Sequence, residues 1–100
     1  MKMLTIVCRE KFKDDVRILF DTLGIKGYTV MSGAGGSGET GAVSGNDWTD
    51  HNMLFLVVLD DAQMATLLTA MKELHVRLVA EQRGREVALK VFLQPCEVIL

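Results

Sequence analysis

The sequence predicts an α+β fold in which strand, helix, strand, strand, helix and strand follow one another, giving a four-stranded antiparallel sheet with two helices on one face. Three observations predict it. Four short runs are apolar and rich in β-branched residues, while two longer runs repeat apolar residues at helical spacing. The runs alternate as two β-α-β halves, the ferredoxin-like βαββαβ sandwich. Of the 100 residues, 49% are hydrophobic and 24% charged, enough for one core with apolar residues left over, and residues 1–100 are expected to form a single domain.

Each element follows from its own pattern. Lys2 to Cys8 alternates, with Leu4, Ile6 and Cys8 on one face and Met3, Thr5 and Val7 on the other. Phe12, Val16, Leu19, Phe20 and Leu23 then make one helical stripe, so Lys11–Leu23 is the first helix and Gly24 ends it. Gly27–Met31 reads as the second strand. Asn52–Leu59 is apolar on both faces, as a central strand is. Asp60 is placed to cap a helix and Asp61 to sit in its first turn. That helix, from about Asp61 to about Gln82, carries the stripe Met64, Leu67, Leu68, Met71, Leu74 and Leu78, and Arg83-Gly84-Arg85 breaks it. Val87–Leu93 is the fourth strand, stopped by Pro95, and Glu97–Leu100 is expected to add a short terminal strand.

Two helices cover only one face of such a sheet, yet the strands are apolar on both. The open face predicts a homo-oligomer. A net charge of −2 with no basic cluster excludes a nucleic-acid surface. No apolar run approaches the ~20 residues of a membrane span. The N-terminus is too short for a signal peptide, so a cytoplasmic chain with reduced Cys8 and Cys96 is expected.

Between the second and third strands lies Ser32–His51, which holds six of the nine glycines and shows no apolar period. It reads as a loop, and connections longer than about 12–15 residues are usually functional. Gly33-Ala34-Gly35-Gly36-Ser37-Gly38 fits G-x-G-x-x-G, but a dinucleotide fingerprint needs a helix at the third glycine, and more loop follows here. What remains is a run of unobstructed backbone N–H groups able to wrap an anion, weighed against a plain solvated loop. Trp48, the sole tryptophan, is the anchor on this loop. Arg83 and Arg85, flanking a glycine beside a strand start, are the best basic candidates for a phosphate, ahead of Arg9, Lys11, Lys13 and Arg77. No pair among Cys8, Asp50, His51, His75 and Cys96 has zinc-site spacing, and the bland reading, cysteines in the core or an interface and histidines on the surface, is preferred. No Ser-His-Asp set or paired carboxylates present themselves, so the chain is not read as an enzyme.

Several of these residues resemble the PII nitrogen-regulatory signalling proteins: Met1-Lys2, Asp14-Asp15-Val16-Arg17, and above all Gly24-Ile25-Lys26-Gly27-Tyr28-Thr29-Val30 with Gly33 and Gly35 after it. The resemblance implies a homotrimer with nucleotides in the clefts between subunits. It implies that Ser32–His51 is a partner-docking T-loop, with Glu39, Thr40 and Trp48 on it, whose targets are membrane transporters or other regulated proteins. It carries nucleotide contact to Thr29 and to Gly35, Gly36, Ser37 and Gly38, and makes an adenine nucleotide or a small anion the effector, with no fixed cofactor. The family's Thr-Gly-x-x-Gly-Asp-Gly-Lys segment is replaced here by Glu81-Gln82-Arg83-Gly84-Arg85-Glu86, so its phosphate-binding lysine has no counterpart. The competing reading is a trimeric metal-binding protein similar to CutA, which shares the fold and would use Cys8 and His51.

Overall fold

The computed structural model describes residues 1–34, 36–38, 41–43 and 51–100. Strand β1 spans Lys2–Arg9, and a single 3-10 turn, Glu10–Phe12, leads into helix α1, Lys13–Thr22. Strand β2 is Thr29–Ala34, β3 Gly36–Gly38, β4 Gly41–Val43 and β5 Asn52–Leu59. Helix α2 runs Asp61–Glu81 and strand β6 Leu89–Pro95. β2, β5, β1 and β6 form one antiparallel sheet in that order, while β3 and β4 pair separately. The α+β ferredoxin-like plan is therefore the observed one.

Side-chain alternation sorts the sheet into two faces. Leu4, Ile6 and Cys8 of β1 and Met53, Phe55, Val57 and Leu59 of β5 are buried, packed with Val16 and Phe20 of α1 and with Met64, Leu67, Met71, Leu74 and Leu78 of α2. The five α2 positions recur at intervals of three and four, the spacing that keeps one helical face on the sheet. Phe20 joins Tyr28 and Phe55 edge-on, at 4.8 and 5.8 Å between ring centroids, and so ties α1 to the start of β2.

The register also identifies the open face. Thr29, Leu56, Thr5 and Phe92 form one row across the four strands, and Met31, Leu54, Val7 and Lys90 the next. Apolar side chains make up half of the first row and three of the four positions of the second, yet no helix among the described residues covers them. Met31 and Phe92 are 46% and 55% exposed.

Both helix ends close with the same device. In α1 the Gly24 N–H donates to Asp21 O (3.1 Å) and the Ile25 N–H to Phe20 O (2.9 Å), with Gly24 at φ 72°. In α2 the Arg83 N–H donates to Ala80 O (3.1 Å) and the Gly84 N–H to Val79 O (3.0 Å), with Arg83 at φ 57°. This is the Schellman pair of bonds, and its left-handed position normally falls to glycine. At the other end of α2, the Asp60 carboxylate accepts the Gln63 N–H at 2.7 Å, the expected cap.

Several boundaries differ from expectation. The first helix was expected over Lys11–Leu23, but its opening turn is 3-10 and it ends at Thr22. The second strand begins at Thr29 rather than Gly27 and continues to Ala34. Between Met31 and Ala34 it carries one residue more than β5 opposite, a bulge that places Gly33 at φ 77°. The last strand begins at Leu89 because Val87 is spent in a turn, its carbonyl taking the Leu89 N–H at 2.9 Å. Pro95 closes that strand from within, as a proline on a sheet edge can. Glu97–Leu100 is not a strand, for it pairs with no strand among the described residues. The reading of Ser32–His51 as featureless loop is corrected as well: Ser32–Ala34 extend β2, and Gly36–Gly38 pair with Gly41–Val43. Glycine-rich strands carry no side-chain alternation to read, although their backbone can still form a ladder.

Candidate functional site

The candidate site lies where β1 ends, β5 begins and α2 stops. Four contacts hold this end of the sheet together. The Arg9 N–H donates to Ala88 O (3.2 Å) and the Glu10 N–H to His51 O (2.8 Å). Lys11 Nζ donates to Gln82 Oε1 (3.4 Å), and Ala34 and Arg9 both sit opposite Asn52. The last residues of the glycine-rich segment, the β1–α1 turn and the Gln82–Arg85 turn thus share one rim.

The charges on this rim are not equivalent. Lys13 is engaged with Glu10 at 2.9 Å, and Arg77 is held between Asp15 (3.7 Å) and Glu81 (3.6 Å). Arg83 and Arg85 are exposed, and among the described residues neither forms an ion pair. The backbone donors of their turn are spent: the N–H groups of Gln82, Arg83 and Gly84 go to carbonyls at the end of α2 and that of Arg85 to Gln82 O. An anion here would be met by guanidinium groups rather than by a backbone nest.

Arg83 is the one non-glycine residue with positive φ among the described residues. A side chain in the left-handed region costs roughly 1–2 kcal/mol, and such strain gathers at functional sites. Sequence reading missed this, because Gly84 is the obvious helix breaker. The left-handed conformation at the end of α2 begins one residue earlier, at Arg83, and continues through Gly84 at φ 79°.

Thr29 opens β2 on the far edge of the sheet, exposed on the open face. Three strand spacings, about 14 Å, separate β2 from β6. One chain therefore does not bring Thr29 and the Arg83–Arg85 turn together. Gly36, Ser37 and Gly38 form β3, so part of their backbone is engaged with β4 and does not form the open run of donors expected of a loop. Gly35, Glu39, Thr40 and Trp48 lie outside the described residues.

Among the described residues the metal candidates do not converge, and Asp50 lies outside those residues. Cys8 is buried, and that burial, with Glu10 and Asp15 nearby, pushes its thiol up to about 12. A thiol held neutral in a core is a poor ligand, since metals take the thiolate. His51 is half-buried at the start of β5, and among the described residues no group of three His, Cys, Asp or Glu side chains could hold a metal ion. No helix among the described residues is long and apolar enough to cross a membrane.

A family model described as nitrogen regulatory protein P-II matches residues 1–97. Solved structures similar to this chain include three of CPII, a nitrogen regulatory PII-like protein from Thiomonas intermedia K12. The form bound to ADP, AMP and bicarbonate is 20% identical with a TM-score of 0.66, over 93% of this chain and 84% of that one. The form bound to ADP and bicarbonate is 20% identical with a TM-score of 0.67 over the same shares. The apo form is 19% identical with a TM-score of 0.64, over 93% of this chain and 85% of that one. At these identities the likeness is one of fold. No curated protein matches the chain.

Proposed function

The chain belongs to the nitrogen regulatory protein P-II family, and from that premise we propose that it is a regulatory protein, not an enzyme, that senses an adenine nucleotide, with or without a small anion such as bicarbonate, in clefts between the subunits of a homotrimer. The observation that carries the reading is the pair of exposed guanidinium groups on the Arg83–Arg85 turn, without ion pairs among the described residues, at the same end of the sheet as the base of the glycine-rich segment. They lie in the stretch that replaces the family's second nucleotide segment, and arginine grips phosphate by two parallel hydrogen bonds.

The separation of Thr29 from Arg83 and Arg85 supports a cleft between copies. A nucleotide touching both would take Thr29 and the β2–β3 glycines, Gly35 to Gly38, from one subunit and the arginines from the next. The apolar open face supports the assembly: Leu54, Leu56, Val7 and Phe92 on each copy would be withdrawn from water against one another. ADP, AMP and bicarbonate occupy CPII, a protein of this fold. Effector binding would reorder the segment 32–51, with Glu39, Thr40 and Trp48, and so dock or release a partner such as a membrane transporter on the cytoplasmic side.

Calorimetry with ADP, AMP and ATP, each with and without bicarbonate, tests the effector, and light scattering tests the assembly. Saturable nucleotide binding and a mass three times the 11.1 kDa of the chain are expected. Binding of none of the three nucleotides, or a monomeric mass at micromolar concentration, refutes the corresponding half.

A further inference from the structure

Lys11 is held differently from Lys13 and Arg77, its neighbours on the rim. Those two are paired with carboxylates, Lys13 with Glu10 and Arg77 with Asp15 and Glu81. Lys11 is exposed and forms no ion pair among the described residues. Its Nζ reaches instead to a neutral acceptor, Gln82 Oε1 at 3.4 Å, and lies 5.1 Å from the centre of the Phe12 ring. That bond is at the long limit for an N–H donor, and an ammonium carries more donors than one such bond uses.

Both ends of the contact are fixed by other means. Phe12 is buried and the Glu10 N–H is held by His51 O at 2.8 Å, so the chain is anchored on either side of Lys11. At the other end, the Gln82 N–H donates to Leu78 O (2.9 Å) and Gln82 O accepts the Arg85 N–H (3.1 Å). The turn that carries Arg83 and Arg85 is thus closed by backbone bonds and does not need the Gln82 side-chain amide. What can swing is the long Lys11 stem, and it already ends against the residue before Arg83. A phosphate drawn to the two guanidinium groups would arrive within its reach. Charge-assisted bonds to phosphate are shorter and roughly twice as strong as neutral ones, so the ammonium gains by leaving a neutral amide for a phosphate oxygen.

We propose that Lys11 is a further phosphate-gripping cation of the nucleotide site, stored on Gln82 in the free protein and transferred to the phosphate of the bound nucleotide. The assignment rests on the nucleotide reading above and adds a competitor to it. Gln82 and the phosphate draw on the same ammonium, so the Gln82 amide lowers effector affinity.

Isothermal titration of ADP into the wild-type chain, Lys11→Met, Lys11→Arg and Gln82→Met tests it. Lys11→Met should bind ADP about tenfold more weakly or worse, and Lys11→Arg within about threefold of wild type. Gln82→Met frees the ammonium in advance and should bind ADP about two- to fivefold more tightly. A merely structural latch between the two residues predicts the opposite for Gln82→Met, a loss like that of Lys11→Met, and that result overturns the proposal. Wild-type ADP affinity in either methionine variant overturns it too, while leaving the nucleotide reading in place. Absence of ADP binding by the wild-type chain itself overturns the nucleotide reading and this assignment with it.

Discussion

Arg83→Gly is expected to make the protein more stable and a worse nucleotide binder at once. Arg83 sits at φ 57° at the end of α2, where α1 has Gly24 at φ 72° in the same pair of capping bonds. The left-handed conformation costs an L-residue roughly 1–2 kcal/mol. Glycine escapes that cost but loses about 0.5–1 kcal/mol more backbone entropy on folding. The difference leaves the variant more stable by about 0.5–1 kcal/mol. For a domain of this length that raises Tm by about 2–8 °C, measured at one fixed protein concentration because assembly is also reported in Tm. A charge-assisted hydrogen bond contributes about 1.5–3 kcal/mol, so losing the guanidinium should weaken ADP binding by roughly ten- to a hundredfold. Differential scanning calorimetry and isothermal titration on the same preparations read both quantities. A Tm that stays level or falls refutes the strain argument. Unchanged ADP affinity removes Arg83 from the site.

Five further outcomes are expected. Gly24→Ala meets open space around its new Cβ, so backbone strain alone should lower stability by about 1 kcal/mol and leave ADP binding intact, as read by thermal melts and titration. Leu56→Asp, at the centre of the open sheet face, should reduce the light-scattering mass to that of one 11.1 kDa chain. Asp60→Ala removes the carboxylate that accepts the Gln63 N–H and should cost about 1 kcal/mol in urea unfolding. Cys8 should resist thiol reagents at pH 8 while the partly exposed Cys96 reacts, as mass spectrometry will show. The unfolded Cys8 thiol loses its proton near 9.0 and the folded one near 12, so above pH 9 the unfolded state binds fewer protons. The Cys8 contribution to stability is therefore whole below pH 9 and falls by about 1.4 kcal/mol per pH unit toward pH 12, a slope that Cys8→Ala should lack.

Much of the fold was legible because burial writes a period into the chain. Strand β5 was placed at Asn52–Leu59 without error, since a central strand needs apolar residues on both faces and Asp60 marks the cap that follows. The stripe Met64, Leu67, Met71, Leu74, Leu78 gave α2 to within a residue. The pairing of Gly36–Gly38 with Gly41–Val43 was not legible, because glycine offers no side-chain pattern. Nor was the start of β6, where Val87 is apolar and buried yet belongs to a turn.

The candidate site divides along the same line. Arg83 and Arg85 could be picked out as charges beside a breaker, and Thr29 and Gly35–Gly38 through the family's pattern. Composition and spacing alone thus determined the element order, the core stripes, the uncovered apolar face and the length of the glycine-rich segment, since each is set by residue types along the chain. Only the tertiary structure decided that Arg83 joins Gly84 in the left-handed conformation, that Glu10 and Asp15 lie near the buried Cys8 thiol and help hold it neutral, and that Thr29 and the arginines stand on opposite edges of one sheet. Those three facts depend on which strands neighbour which and where each backbone hydrogen bond lands, relations between residues far apart in sequence that no local pattern encodes.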